Sequence, residues 1–140
     1  MNKLYFFFVS VKVALGATTL IWAITLAHDT KVCPARDLYN NLPNLLITGF
    51  IIDGTILVIV IVISRMCMQN FTWKQSLQYS SFPLMPLNIY TIVMLAIQFT
   101  CTTYTLWIIA IIDHSVSVLF HSANIGNYCF ERKGFYEELD

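Results

Sequence analysis

The stretch that most constrains this chain is residues 43–65, PNLLITGFIIDGTILVIVIVISR, where Asp53 is the only ionisable side chain between Pro43 and Arg65. An unbroken run of about 20 mainly apolar residues matches a helix that crosses the hydrocarbon core of a bilayer. Its β-branched residues would favour a strand in a soluble protein, but the uninterrupted length favours a helix. A carboxylate at mid-depth costs about 3 kcal/mol on insertion scales. We therefore predict that Asp53 faces protein or water and not lipid.

The overall composition supports a membrane environment. Hydrophobic residues make up 57% of the chain and charged residues only 11%, whereas an ordinary soluble domain is about 45–50% apolar and about 25% charged. The formal net charge is zero, so no basic surface indicates nucleic acid as a partner. A lipid bilayer is the expected surrounding.

Two further apolar runs flank the central one. The first, residues 4–27, continues well past Ala17, as a retained helix would and a cleaved signal peptide would not. The second, residues 86–112, is long enough to cross a bilayer with some tilt. Together with residues 43–65, these runs predict three transmembrane helices.

Dividing the last run would give four helices instead of three. No glycine, proline or charge marks a turn near residues 98–105, so the undivided run is favoured and the four-helix division is kept as the alternative. The predicted fold is an all-α membrane protein. Residues 1–140 form a single membrane domain, with residues 113–140 as an extramembrane C-terminal tail.

Three crossings place the N-terminus and residues 65–85 on one side and residues 28–42 and the tail on the other. Basic residues close to the membrane are slightly more frequent on the first side, which favours the N-terminus inside and the C-terminus outside. The glycosylation sequon at Asn70 argues for the reverse orientation. No motif indicates the organelle.

The cysteines add a prediction about the outer side. Cys33 and Cys129 share that side in a three-span protein, where they could form a disulfide if the compartment is oxidising. No CxxC motif occurs, so a zinc ribbon or a thioredoxin-type site is not indicated.

Polar residues recur along the third run at alternating steps of three and four, with Leu95 at the missing step. They are Asn88, Thr91, Gln98, Thr102 and Thr105. This heptad spacing is typical of a helix-packing seam. Since lipid cannot satisfy hydrogen bonds, we expect this seam to face protein or water.

The depths of the polar groups predict a contact between helices. Counted from one side at 1.5 Å per residue, Lys12 lies about 12 Å deep, and Asp53 and Gln98 about 18 Å deep. We predict a Lys12–Asp53 pair with hydrogen bonds from Gln98 and Thr102. Such a network could fix helix register, contact a partner subunit, or form part of an ion or proton pathway.

Two other clusters are candidates for packing or binding. Thr19, Ala23 and Ala27 form a small-residue face suited to close helix approach. His and Asp residues gather where the first and third predicted helices end, at His28, Asp29, Asp113, His114 and His121. This set could bind zinc or iron, but it contains no HExxH or ExxH pair, and a plain membrane boundary explains it. No metal, cofactor or catalytic residue is predicted.

The function favoured by these features is a non-catalytic accessory subunit of a larger membrane complex, such as an ion channel, a transporter or an energy-transducing assembly. The small-residue and polar faces would contact the other subunits. One alternative is a small membrane enzyme or lipid-binding protein that uses the interfacial His/Asp cluster. Another is a self-assembling ion or proton conductor.

Overall fold

The structure is a computed structural model that describes residues 3–27, 42–67, 72–96 and 103–137. These residues form four helices: α1 (Lys3–Ala27), α2 (Leu42–Cys67), α3 (Trp73–Leu95) and α4 (Tyr104–Glu137). The predicted all-α class is therefore confirmed.

Three of the helices are long and apolar enough to cross a membrane: α1, α2 and the Tyr104–Gly134 part of α4. The predicted spans 4–27 and 43–65 coincide with α1 and α2 to within two residues at each end.

The predicted helix over residues 86–112 is wrong, because the chain leaves α3 at Leu95 and enters α4 at Tyr104. The start of α4 is capped by Thr103, whose Oγ1 accepts a hydrogen bond from the backbone N–H of Leu106 at 3.3 Å. The indole N–H of Trp107 donates to the carbonyl of Leu95 at 2.7 Å and so satisfies the end of α3. The four-helix division is the one observed.

The predicted boundary at residue 112 also falls inside a helix, since α4 continues to Glu137. Residues 113–137 are thus an extension of the same helix and do not begin a separate segment.

Helix α3 begins well before the predicted third span. Thr72 and Gln75 form a capping box: the Gln75 N–H donates to Thr72 Oγ1 at 3.3 Å, and the Thr72 N–H donates to Gln75 Oε1 at 3.1 Å. The helix then continues through Pro83 and Pro86. Each proline removes a backbone donor, a loss that membrane helices tolerate when neighbouring groups satisfy the freed carbonyls.

The four helices form a ring in which α1 and α3 each contact both α2 and α4. Helix α1 runs antiparallel to α4, because Tyr5 lies against Phe120 while Lys12, further along α1, reaches back to Ser117. The start of α1 and the last turns of α4 therefore lie at the same end of the ring. Three crossings would have put them at opposite ends.

The opposite end of the ring is apolar. It collects the last turns of α1 and α3 and the first turns of α2 and α4. Its buried members are Ala23, Leu26, Leu42, Leu46, Leu95, Leu106 and Ala110. We call this set the apolar end. The predicted small-residue face lies beside it: Thr19 and Ala23 are buried and Ala27 is half-buried, within the ring formed by this chain.

Polarity is inverted relative to a soluble bundle. Large apolar side chains point outward, among them Phe6, Phe7, Ile51 and Val58. Exposed threonines on this surface are satisfied by their own helices, as when Thr18 and Thr55 donate to carbonyls four residues earlier at 2.8 and 2.7 Å. Buried polar residues face inward instead, and this distribution suits a protein surrounded by lipid.

Candidate functional site

A cavity of about 480 Å³ lies between the four helices, and all four contribute to its wall. Its polar lining residues are Lys12 and Thr19 from α1, Asp53 from α2, Ser80 and Asn88 from α3, and Asp113, His114, Ser117 and His121 from α4. We call this set the polar cluster. It gathers one cation, two carboxylates and two imidazoles in a space otherwise walled by apolar side chains.

Helix α4 supplies the largest share of these groups because one of its faces is polar. Asp113, Ser117, His121 and Asn124 are all buried and follow one another at steps of four, four and three residues. This spacing keeps them on one side of a helix. The face lies against α3 and α1, so its side chains find partners on both.

Lys12 connects α1 to α4. Its Nζ donates a hydrogen bond to Ser117 Oγ at 2.8 Å, and its ammonium interacts electrostatically with the carboxylates of Asp113 and Asp53. Lys12 and Asp53 line the same cavity, but the ion pair observed within the described helices is Lys74–Glu131, so the Lys12–Asp53 pair stays a prediction. Gln98 and Thr102, the predicted hydrogen-bonding partners, lie outside the described residues.

The predicted polar seam over residues 88–105 is wrong as a single stripe, because the break after Leu95 divides it. Asn88 and Thr91 belong to α3, and Thr105 belongs to α4. Thr91 is satisfied within α3, where it donates to the carbonyl of Leu87 at 3.0 Å. Asn88 alone of these three lines the cavity.

Asn88 fixes the groups on either side of it. Its Nδ2 donates to the Leu84 carbonyl at 2.8 Å, so its Oδ1 is free to accept from His114 Nδ1 at 2.8 Å. An amide oxygen can only accept, so His114 carries its proton on Nδ1 and, when neutral, has a lone pair on Nε2. The Asn88 amide also interacts with the Asp53 carboxylate.

Ser81 determines the tautomer of His121 in the same way. Its hydroxyl donates to the Leu77 carbonyl at 2.6 Å, so its oxygen accepts from both His121 Nδ1 at 2.9 Å and Asn124 Nδ2 at 3.3 Å. His121 is therefore also protonated on Nδ1, and its Nε2 is an acceptor when the ring is neutral. Both histidines have the same tautomer.

The predicted boundary cluster is relocated by this geometry. Asp113, His114 and His121 line the cavity together with Lys12 and Asp53, while His28 and Asp29 lie outside the described residues. The cause is the start of α4 at Tyr104, which places Asp113 about 14 Å along the helix and not at its end. The predicted network around Lys12 and Asp53 and the predicted His/Asp cluster therefore belong to one cavity.

The described residues bear on metal binding, but they do not test the predicted disulfide. Within the described helices, no three His, Cys, Asp or Glu side chains are placed to share a metal ion. Cys129 is exposed near the end of α4, and Cys33 lies outside the described residues, so their pairing stays a prediction.

No protein-family model, no curated protein and no solved structure matches this chain. Its function is therefore inferred from the cavity and the groups that surround it.

Proposed function

We propose that the chain is a four-span membrane protein that binds a small amphiphilic molecule in the cavity between its helices. The observation that carries the proposal is the cavity itself: about 480 Å³, mostly apolar walls and a compact polar cluster. Small-molecule sites commonly have this size and this combination of apolar lining with a few polar groups.

The cavity also has a route from the bilayer. Val13 of α1 and Phe50 of α2 both line it, and they are 64% and 52% exposed. We therefore place the opening between α1 and α2, where the exposed side chains are apolar. A ligand that enters there has an apolar portion, and its polar portion meets Lys12 and Asp53.

The arrangement favours binding over catalysis. Lys12 donates to Ser117 Oγ and faces two carboxylates, a setting suited to an ammonium ion and not to a neutral amine base. Lys12 is therefore not placed to act as the activating base that a serine nucleophile at Ser117 would need. That the protein is non-catalytic stays a prediction, which is kept as part of the proposal.

Filling the cavity tests the proposal. Gly54 lines the cavity and Gly49 does not, although both lie on α2, and a Cβ at either position would meet nothing within 4 Å. We expect Gly54→Phe to abolish binding and Gly49→Phe, which changes helix propensity equally, to retain it.

The measurement is native mass spectrometry of the purified protein after incubation with a membrane lipid extract. Wild type and Gly49→Phe should carry a small-molecule adduct that Gly54→Phe lacks. Equal adducts on both variants, or no adduct on wild type, would contradict the proposal.

The orientation is proposed from the same four crossings. Helix α3 lies alongside α4, with Lys74 paired to Glu131 and Asn88 to His114, so we place it at the same depth as α4. Five basic residues then fall at the end that holds the termini: Lys3, Arg65, Lys74, Arg132 and Lys133. Only Lys31 and Arg36 fall between α1 and α2. The positive-inside rule then puts both termini inside, with Asn70 unglycosylated.

Native cysteines report this orientation. Cys67 and Cys129 are both exposed at the ends of α2 and α4, on the side that we propose is cytoplasmic. In single-cysteine variants, a membrane-impermeant maleimide should label both residues in inverted vesicles and neither in intact cells. Labelling of one residue from each side would refute four crossings.

Membership of a larger complex, as an accessory subunit, stays a prediction. The faces that motivated it are covered by this chain: Thr19 and Ala23 are buried, and the polar cluster lines an internal cavity. Co-purification of partner subunits in mild detergent would support it. The self-assembling conductor is likewise a prediction, tested by conductance in reconstituted bilayers.

A further inference from the structure

We propose that the cavity is selective for a ligand that carries an ammonium group on an apolar body. This inference rests on the proposed function and specifies the chemistry of the ligand.

The charges of the polar cluster do not cancel. Lys12 contributes one positive charge, Asp53 and Asp113 contribute two negative charges when ionised, and His114 and His121 contribute none when their rings are neutral. One excess negative charge in a low-dielectric site is costly unless it is paired. A single ligand cation pairs it.

Acceptors outnumber donors among the groups that remain open in the wall. The Asn88 amide bonds to Leu84 and His114, and the Lys12 ammonium donates one hydrogen bond to Ser117 Oγ. Beside the other Lys12 donors and the Ser117 hydroxyl, the wall presents the carboxylate oxygens of Asp53 and Asp113. His114 and His121 add an Nε2 lone pair each when their rings are neutral. An ammonium group, with three donors and no acceptor, complements such a wall.

Asp53 is the carboxylate best placed for the ligand. It is half-buried, whereas Asp113 is buried against α1, and it sits on the same face of α2 as Phe50 at the opening. Asn88 accepts a hydrogen bond from His114 Nδ1 and lines the cavity together with Asp53, so it orients the His114 ring in the same wall as that carboxylate. The apolar body of the ligand would extend past Phe50 and Val13 toward the bilayer.

The test compares three ligands with the same ten-carbon chain: decylamine, decanol and decanoate. Decylamine is protonated at neutral pH, as lysine is. The radiolabelled compounds are titrated onto the full chain in phosphatidylcholine nanodiscs, and the signal of empty nanodiscs is subtracted. We expect saturable binding of decylamine, at one molecule per chain, and no saturable binding of decanoate.

Variants test whether binding depends on the charges that line the cavity and not only on an intact fold. Asp53→Asn should weaken decylamine binding by about 10- to 100-fold, the equivalent of one charged hydrogen bond. Lys12→Gln removes a competing cation and should strengthen binding, which loss of structure would not do. Lys74→Gln, on the exposed Lys74–Glu131 pair, should leave binding unchanged.

The outcomes distinguish this inference from the proposed function. Saturable binding of decanol or decanoate that equals or exceeds that of decylamine would overturn the ammonium preference and leave a cavity that binds amphiphiles. Weaker decylamine binding in Lys12→Gln would also overturn it. If none of the three compounds binds saturably, the ammonium site is refuted. The proposed function is refuted separately if wild type carries no adduct in the mass spectrometry experiment, or if Gly54→Phe and Gly49→Phe carry equal adducts.

Discussion

The two halves of the helix ring are held together in different ways. At the apolar end, small and branched apolar side chains such as Ala23, Ala110 and Leu106 are fully buried against one another. In the polar half, serines, asparagines and histidines pair across α3 and α4, and a cavity remains between the helices. Van der Waals packing holds the apolar end together. Interhelical hydrogen bonds hold the polar half together around the cavity.

In the bilayer that we propose surrounds the protein, both kinds of contact are needed. Because acyl chains are as apolar as leucine, burial of apolar surface gives helices in a bilayer little reason to associate. The apolar end therefore depends on close van der Waals contact, which small residues permit. Hydrogen bonds such as that from His114 to Asn88 fix the register of α3 and α4 without filling the volume beside them, and this leaves room for a ligand.

The largest expected effect is in the polar half, at Lys12. Lys12→Gln removes the charged hydrogen bond from Nζ to Ser117 Oγ, and a hydrogen bond of a charged group typically contributes about 1.5–3 kcal/mol to the free energy of unfolding. Denaturant titration in mixed micelles measures it. Lys74→Gln is the matched control, since its pair with Glu131 is exposed and should contribute less than about 1 kcal/mol. Equal effects of the two changes would mean that the polar cluster is solvated.

The next effect tests close contact at the apolar end. Ala110 is fully buried, so Ala110→Phe must force helices apart and should cost about 1–3 kcal/mol. Ala123, on the same helix, is exposed, so Ala123→Phe should change stability by less than about 0.5 kcal/mol. The same titration compares them. A tolerated Ala110→Phe would show that this end is loosely packed and would remove the contrast between the halves.

The smallest expected effect tests the hydrogen bonds between α3 and α4. Ser81→Ala removes the acceptor shared by His121 and Asn124, and bonds of this kind in membrane helices contribute about 0.6 kcal/mol each on average. We expect a loss of about 1 kcal/mol for the pair. Ser122→Ala is the control, because Ser122 is exposed and donates only to the sulfur of Met85. A double-mutant cycle of Ser81→Ala with His121→Ala should show coupling, and its absence would separate the two side chains energetically.

Hydropathy predicts α1 and α2 because both are apolar over their whole length. Helix α3 escapes this criterion, since Ser76, Gln78 and Ser80 face inward and dilute its apolar content. The signal that does mark its start is the capping box from Thr72 to Gln75. Its end is harder to predict because Pro83 and Pro86 suggest an earlier stop, which tertiary contacts override.

The sequence indicates some residues of the polar cluster more clearly than others. Lys12 and Asp53 stand out in the sequence because a charge within an apolar run is costly. Asp113 and His114 were placed at a boundary because the start of α4 depends on a threonine cap and not on a glycine or proline. Ser117 was missed because a serine in a membrane helix is often satisfied by its own backbone. The steps of three and four residues from His114 to Asn124 are the pattern that could have indicated it.

The inward polarity of α3 has a consequence for how the protein is made. Its amide and hydroxyl groups find interhelical partners chiefly on α4, through Ser81 and Asn88. During synthesis α3 emerges first and has no such partner, so it is a poor candidate for entering the bilayer alone. We expect the two to insert into the proposed bilayer together as a hairpin, so that α3 enters it only after α4 has been made.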